Sequence, residues 1–351
     1  MYQQRAHKGN EMNIRKIAER AGVSVATISR VLNHPELVSQ ETRDHVFAVM
    51  EENHYTPNWF ARNLNQRQTR TIAFLYPSNE SQFLQSVASG VETVALNKQN
   101  FVFLCNTRNS AEIEEKYLDM VLQRNVDGVI LFSTKLSDRK LRDIVAKRIP
   151  CVHIDCDGTE KSRMLCYINY EEAAYRLTEH MLHMGYESLY LLLDNLLISE
   201  SNRIRTGFGN AVARAKNVRT EVFVSDRTMQ GGILFAQRLI QMGQLPRALM
   251  TGSATQAFGV MKAARMCGID VPETLAVASM TDSTMATMVE PPLTAVDRPG
   301  KRLGMVSARM LFDCIENPDL PETEPQQIEL LSKLAIRKSC GNTKFIYELF
   351  D

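Results

Sequence analysis

Residues 13–33 read Asn13-Ile14-Arg15-Lys16-Ile17-Ala18-Glu19-Arg20-Ala21-Gly22-Val23-Ser24-Val25-Ala26-Thr27-Ile28-Ser29-Arg30-Val31-Leu32-Asn33. Apolar residues at Ile14, Ile17, Ala18 and Ala21 stand at i, i+3, i+4 and i+7, the one-sided pattern of a short amphipathic helix. Asn13 can cap its first turn, because the side-chain oxygen accepts from an otherwise unpaired backbone N–H. Gly22 stops the helix, since glycine takes the left-handed conformation at little cost. Val23 is a small apolar plug, and Ser24 caps a second helix over Val25 to Leu32. Two short helices about a glycine turn predict a helix-turn-helix, whose second helix lies in the DNA major groove. The pattern also fits a helical hairpin on the surface of any globular protein, so the residues around it have to decide.

The second helix carries two different faces. Ile28, Val31 and Leu32 point inward, whereas Val25, Ala26, Ser29 and Arg30 fall on the other side, near the helix start. Arg30 can donate two hydrogen bonds to guanine O6 and N7, and Val25 or Ala26 can touch a thymine methyl. Thr27 and Ser29 suit phosphate oxygens better. A third helix follows Ser39, with Val46, Phe47 and Met50 spaced for burial. Pro57 then discourages helix at Thr56, and Asn58 can cap a short helix running toward Leu64. So short a helix is barely stable in water, which suggests order that arrives on binding. The polar run Asn65 to Arg70 reads as a linker.

The motif Ile17-Ala18-x-x-Ala21-Gly22-Val23-Ser24-x-Ala26-Thr27-x-Ser29-Arg30-Val31-Leu32-Asn33, then Val38-Ser39, then Tyr55-x-Pro57-Asn58-x-x-Ala61-Arg62-x-Leu64, resembles the LacI/GalR family of bacterial repressors. The resemblance implies DNA contacts from Val25, Ala26, Thr27, Ser29, Arg30 and Asn33. It implies a second set from a hinge helix carrying Asn58, Ala61 and Leu64, with the leucine wedged between base pairs in the minor groove. Two of the three base-reading positions, Val25 and Ala26, are small and apolar, so the operator sequence is not legible.

Length and composition set the outer bounds. With 351 residues the chain is long for one core and suggests two or three units. Net charge is +1, so basicity is not global; residues 1–70 hold ten Lys/Arg against seven Asp/Glu, a mild local surplus. No run of 18 apolar residues and no signal peptide is present, which points to a soluble cytoplasmic chain. Seven cysteines without a CxxC pair read as reduced and mostly buried, and the 17 methionines as core filler. Residues 1–12 are polar and patternless and read as a disordered tail.

From Thr71 onward, apolar strands alternate with amphipathic helices in two successive rounds, which predicts parallel sheets covered on both faces. The second round includes helices expected over Tyr170 to Met184, Arg205 to Ala215, Gly232 to Met242 and Gln256 to Cys267. Two doubly wound units in tandem leave a cleft at the carboxyl ends of their strands. Gly90 with Glu92, Val126-Asp127-Gly128, Gly268-x-x-Val271-Pro272 and Pro291-Pro292-Leu293-Thr294-x-Val296 extend the resemblance through this region. It implies the two-lobed fold of periplasmic binding proteins, with the chain crossing between lobes three times. The expected organisation is therefore an all-α helix-turn-helix domain over 13–57, a hinge and linker over 58–70, and an α/β effector and dimerisation domain over 71–351. Its first lobe spans about 71–169 and 297–325, and its second about 170–296 and 326–340.

In the cleft the chain departs from its sugar-binding relatives. Ser253-Ala254-Thr255-Gln256 lacks the aspartate that opens this segment in the family, Ile204 stands where an arginine is expected, and Arg227 occupies the aromatic shelf position. Asp155 survives, Asn169 replaces an aspartate, and Asp282 closes the segment Ser279-Met280-Thr281-Asp282. The candidate effector contacts are Ser78, Asn79, Phe83, Asp155, Asn169, Arg203, Arg205, Arg227, Ser253 and Asp282. Losing an acid and gaining arginines suits an anionic ligand, such as a phosphorylated sugar or sugar acid, because guanidinium forks match phosphate and carboxylate. A decayed pocket in a regulator without effector is one alternative. A cytoplasmic sugar-binding protein or enzyme on the same two-lobed fold is the other, from which the N-terminal module separates this chain.

Catalytic signals are weak. Ser199, Ser201 and Ser253 lack nucleophile-elbow glycines, and no HExxH or phosphate-loop motif occurs. His180 and His183, i and i+3 on one helix, are expected as a partly buried pair among Met and Leu, with a shared metal as the other reading. The chain is thus read as a non-enzyme with no cofactor and no structural metal, whose partners are pseudo-palindromic operator DNA, a small molecule and a second copy of itself. Two copies are expected because one module covers only a half-site. The residues after Ser339 lack leucine heptads, which argues against a coiled-coil tetramer.

Overall fold

The computed structural model describes residues 13–55, 69–77, 82–123, 126–132, 142–144, 146–155, 163–194, 199–215 and 217–342. The expected hinge contacts Asn58, Ala61 and Leu64, the effector contacts Ser78 and Asn79, and the tail over 1–12 lie outside them. Two compact units divide the chain, residues 1–69 and 70–351.

The first unit is built from helices Ile14–Arg20, Val25–Asn33 and Gln40–Glu52. Each starts at a side-chain cap. Asn13 accepts from the N–H groups of Arg15 and Lys16, Ser24 from Thr27, and Ser39 from Thr42. The turn between the first two helices rests on Gly22 at φ +63°, a conformation costly for a residue with a β-carbon. Ile17, Ala18, Ala21, Ile28, Val31, Val46, Val49 and Met50 make the core, with Ile14, Val23, Leu32, Val38 and Tyr55 packed around it. Full burial of a side chain such as Ile28 is worth about 1.5–3 kcal/mol, so this core is modest. Phe47, expected inside, is instead 48% exposed. The inward set on its helix is Val46, Val49 and Met50, at i, i+3 and i+4, and Phe47 lies one position off that stripe.

The second unit holds two six-stranded sheets. In the first, strands β1 (Thr71–Tyr76), β2 (Phe101–Asn106), β3 (Gly128–Phe132), β4 (Cys151–Ile154), β5 (Met164–Ile168) and β11 (Gln326–Leu330) lie in the order β11-β5-β4-β3-β1-β2, all parallel. In the second, β6 (Ser188–Leu193), β7 (Arg219–Val224), β8 (Ala248–Thr251), β9 (Ala276–Ser279), β10 (Thr294–Asp297) and β12 (Lys333–Ala335) lie in the order β12-β10-β9-β8-β6-β7, with β12 antiparallel. The runs β1, β3, β6, β8 and β9 are buried almost throughout, as strands covered on both faces must be.

Three departures from expectation matter. Residues 326–330 were expected in the second lobe, yet β11 pairs with β5 from Gln326 beside Met164 to Leu330 beside Ile168, so this stretch completes the first sheet. The third crossing therefore falls between β11 and β12. Strand β5 was not foreseen, although Met164-Leu165-Cys166-Tyr167-Ile168 is an apolar run long enough for one. Finally, the helix expected from Arg205 begins earlier, as Ser199–Val212. Its opening residues are polar, so hydrophobic periodicity is silent there. The helix packs so tightly on helix Tyr170–His183 that a β-carbon at Gly207 would collide with the carbonyl of Glu171. No helix among the described residues is long and apolar enough to cross a membrane.

Candidate functional site

In the first unit, one helix presents a solvent-facing start on a fixed base. Ile28 and Val31 pin helix Val25–Asn33 from below, and the Ser24 cap fixes its first turn. Val25 (41% exposed), Ala26 and Arg30 face outward. That places two small apolar contacts and one two-pronged donor on one surface, as base-edge reading requires. Thr27 is part of the cap, its hydroxyl 2.9 Å from that of Ser24. Ser29 is half-buried beside the reading face, and Asn33 is the last residue of the helix.

In the second unit, the lobes meet over a set of charged and aromatic groups. The Gln82 amide donates to the Thr284 hydroxyl at 2.6 Å and accepts from its backbone N–H at 3.2 Å, joining helix Gln82–Asn97 of the first lobe to the second. Arg298, in the crossover after β10, lies 4.0 Å above the Phe83 ring and 6.0 Å from that of Tyr170. Such a cation over an aromatic face gains more as water is excluded, and only 8% of the Arg298 side chain is exposed. Its Nη1 lies 3.3 Å from Glu200 Oε1, and Nη2 of Arg227 lies 3.0 Å from the same oxygen. Arg227 Nη1 in turn lies 3.6 Å from Asp194 Oδ2, and Ser201 donates to Asp194 Oδ1 at 2.7 Å. Burial pushes the Glu200 carboxyl up, but the charges of Arg227 and Arg298 outweigh it and hold the group below its usual range. The same pairing raises the Arg227 guanidinium above its ordinary value.

Asp155 sits where the first lobe meets the second. It has a left-handed φ of 45°, accepts from the Ile168 N–H at 2.8 Å and accepts from the Tyr170 hydroxyl at 2.6 Å. Burial drives its pKa up to about 6; the two hydrogen bonds and Arg298 pull it down, and Glu200 adds to the rise. Tyr170 is pushed well above its ordinary value by burial first and by the Asp155 charge next.

The expected effector contacts thus divide. Phe83, Asp155 and Arg227 belong to this constellation. Ser253 is buried as the cap of helix Ala254–Met266, accepting from the Gln256 N–H. Asn169 caps helix Tyr170–His183 and donates to Glu329 at 2.7 Å. Asp282 receives a forked pair from Arg337, at 2.9 and 2.7 Å, which ties the segment after β9 to the residues after β12. Arg203 is half-buried near the Tyr167 phenol, and Arg205 is exposed and donates to Asn202. Sequence reasoning missed Glu200, Arg298, Asp194 and Tyr170. Arg298 stands two residues after the Pro291–Val296 motif and was within reach; Glu200 had no local signal. Elsewhere, the His180 ring turns to the buried Cys340 thiol at 3.3 Å, and burial lowers its pKa. Cys105, Cys166, Cys314 and Cys340 are buried free thiols, whereas Cys267 is exposed.

Against known proteins, a model described as bacterial regulatory proteins, lacI family, matches residues 13–58, and a periplasmic binding protein-like domain matches residues 178–340. The HTH-type transcriptional repressor PurR of Actinobacillus pleuropneumoniae serotype 3 is 27% identical over 331 residues, covering 94% of this chain and 98% of that protein. The protein of the same name from Edwardsiella ictaluri is 29% identical over 338 residues, covering 95% and 98%. Among solved structures, the lac repressor dimer bound to operator and the anti-inducer ONPF gives a TM-score of 0.84 at 22% identity, over 94% of this chain and 99% of that one. The complex of the transcriptional regulator CelR with cellobiose gives 0.68 at 24% identity, over 94% and 100%. At these identities the structural likeness speaks for the fold.

Proposed function

The chain belongs to the lacI family of bacterial regulatory proteins and is a DNA-binding transcriptional repressor of that type, and from that premise we propose that it represses a metabolic operon under the control of a small molecule bound between its two lobes. The observation that carries the DNA half is the outward face of Val25, Ala26 and Arg30 on a capped and buried base. The carbohydrate or sugar-derivative effector class expected from the sequence remains part of the proposal; the support for a polar ligand is the joint presence of Arg298, Arg227, Glu200, Asp155 and Phe83 where the lobes meet. A ligand that prefers one arrangement of the lobes shifts the population of that arrangement, and operator affinity follows by linkage.

The working form is a cytoplasmic homodimer on a pseudo-palindromic operator. Its support is the pair of edge strands β2 and β7, which expose Phe101, Phe103, Leu104, Val222 and Val224. Apolar edge strands of this kind call for a covering partner. Residues 58–70 act as the hinge, with Asn58, Ala61 and Leu64 at the minor groove.

The test is Leu64→Ala in the full-length chain. Affinity for the selected operator falls much further than affinity for random duplex; equal losses on both contradict the hinge assignment. One observation favours a second reading, a regulator that needs no effector: Ser253, Asn169 and Asp282 are already engaged inside the protein. A metabolite panel that changes neither melting temperature nor operator affinity supports that reading over the first.

A further inference from the structure

Two guanidinium groups, Arg227 after β7 in the second lobe and Arg298 in the crossover after β10, converge on one carboxylate oxygen of Glu200. We propose that this is an anion site whose resident occupant is the protein's own Glu200, and that the effector carries a carboxylate or phosphate group that takes its place. The inference rests on the reading of the cleft as an effector site and deepens it by naming the ligand's charge and the residues that meet it.

The two partners differ in how freely each can move. Arg298 is not free to leave. Its guanidinium is held against Phe83 at 4.0 Å and is nearly inaccessible to solvent, so removing its counter-charge without replacement strands a buried cation. Glu200 is in the opposite position. It stands in the first turn of helix Ser199–Val212, is 22% exposed on its side chain, and has three side-chain torsions with which to turn toward water. An incoming carboxylate or phosphate restores the charge that Arg298 and Arg227 lose, and Asp194 keeps its own contact to Arg227 at 3.6 Å. The exchange therefore conserves charge at the buried end and hydrates one carboxylate at the exposed end. A neutral sugar has no such route: it must bind beside the intact pairs, because hydroxyls cannot replace an ionised partner. The sequence had pointed to Arg227 at an aromatic shelf position and to Arg203 and Arg205 on either side of Ile204. The structure changes which ones matter, since Arg227 acts with Arg298, whereas Arg205 is exposed on the outer helix face.

The test uses full-length protein and four probes at constant ionic strength: inorganic phosphate, gluconate, glucose 6-phosphate and glucose. In calorimetric titrations, Glu200→Gln binds inorganic phosphate and at least one of the two sugar anions tenfold or more tighter than the unmodified protein, while glucose binding does not change. Adding Arg298→Gln to that variant removes the gain. No tightening for any anion, or an equal gain for glucose, overturns the proposal. Circular dichroism and an operator gel-shift report whether the variant is folded. If Glu200→Gln fails to fold, Glu200→Asp, one methylene too short to serve both guanidiniums, must show the same direction of change, and its absence overturns the proposal. The outcomes separate the two readings. Tighter anion binding that leaves operator affinity untouched keeps the anion site and refutes its role as effector site; intact operator binding without any anion gain refutes the anion site alone.

Discussion

The reading helix and the interlobe cleft are made in opposite ways. The first unit is assembled from neighbours in sequence: Asn13 caps the turn that Ile14 begins, Ser24 the helix that carries Val25 and Arg30, and Gly22 joins the two. Its outward face, with Val25, Ala26 and Arg30, is what remains outside once Ile28 and Val31 are buried. The cleft is assembled from residues far apart. Arg298 and Glu200, 98 positions apart, share a contact, and Gln82 and Thr284, 202 apart, make another. The first region shows its chemistry to solvent, and the second spends much of its chemistry on itself. One leaves its side chains free for a large partner, whereas the other pairs most of its charged groups with one another.

The largest expected effect breaks the comparison at its base. Ile28→Ala empties the centre of a small core and costs about 2–5 kcal/mol, enough to unfold a domain this size. The measurement is a thermal melt: residues 13–55 lose their helical signal at lower temperature, while the transition of the second unit stays in place. A single transition that moves as a whole would mean that the two units fold as one.

The next effect sharpens the first region alone. Arg30→Ala leaves the fold intact, since the side chain is exposed, and costs about 1–3 kcal/mol in operator binding with relaxed specificity at one base pair. Selection from random duplexes before and after the substitution checks it. Uniform weakening across all sequences would assign Arg30 to the phosphate backbone.

The smallest effect belongs to the cleft and is a matter of pH. Asp155 has its pKa raised from 3.8 to about 6 in the folded chain, chiefly by burial. The folded state therefore holds this proton more tightly than the unfolded state. The group's stabilising contribution is complete below pH 4 and is lost as pH rises through 6. Asp155→Asn removes that loss. Denaturant melts at pH 4, 5, 6 and 7 should show the stability difference, variant minus unmodified, growing over this window and then levelling. A constant difference would mean that Asp155 is ionised in the fold throughout.

These contrasts also explain what could be read from the chain. Caps, the glycine turn and the 3.6-residue periodicity are local, so the three N-terminal helices were legible almost to the residue. The buried strands were legible because parallel sheets covered on both faces demand continuous apolar runs, as in Thr71–Tyr76 and Ser188–Leu193. Phe47 misled because one helix position separates a buried stripe from an exposed one. Gln326–Leu330 misled because alternating polar residues on an edge strand do not say which sheet they join. Glu200 was invisible for a deeper reason. Its helix opens with polar residues, and a carboxylate's partners depend on the fold that delivers Arg227 and Arg298 to it.

The most direct test of the whole account is the affinity of the purified full-length protein for the best duplex drawn from a random pool, measured against competitor DNA from low to moderate salt. The protein should prefer one pseudo-palindromic sequence by at least about a thousandfold, as specific DNA binders do, and lose that preference when residues 13–55 are removed. Equal affinity for every duplex at every salt concentration would contradict it.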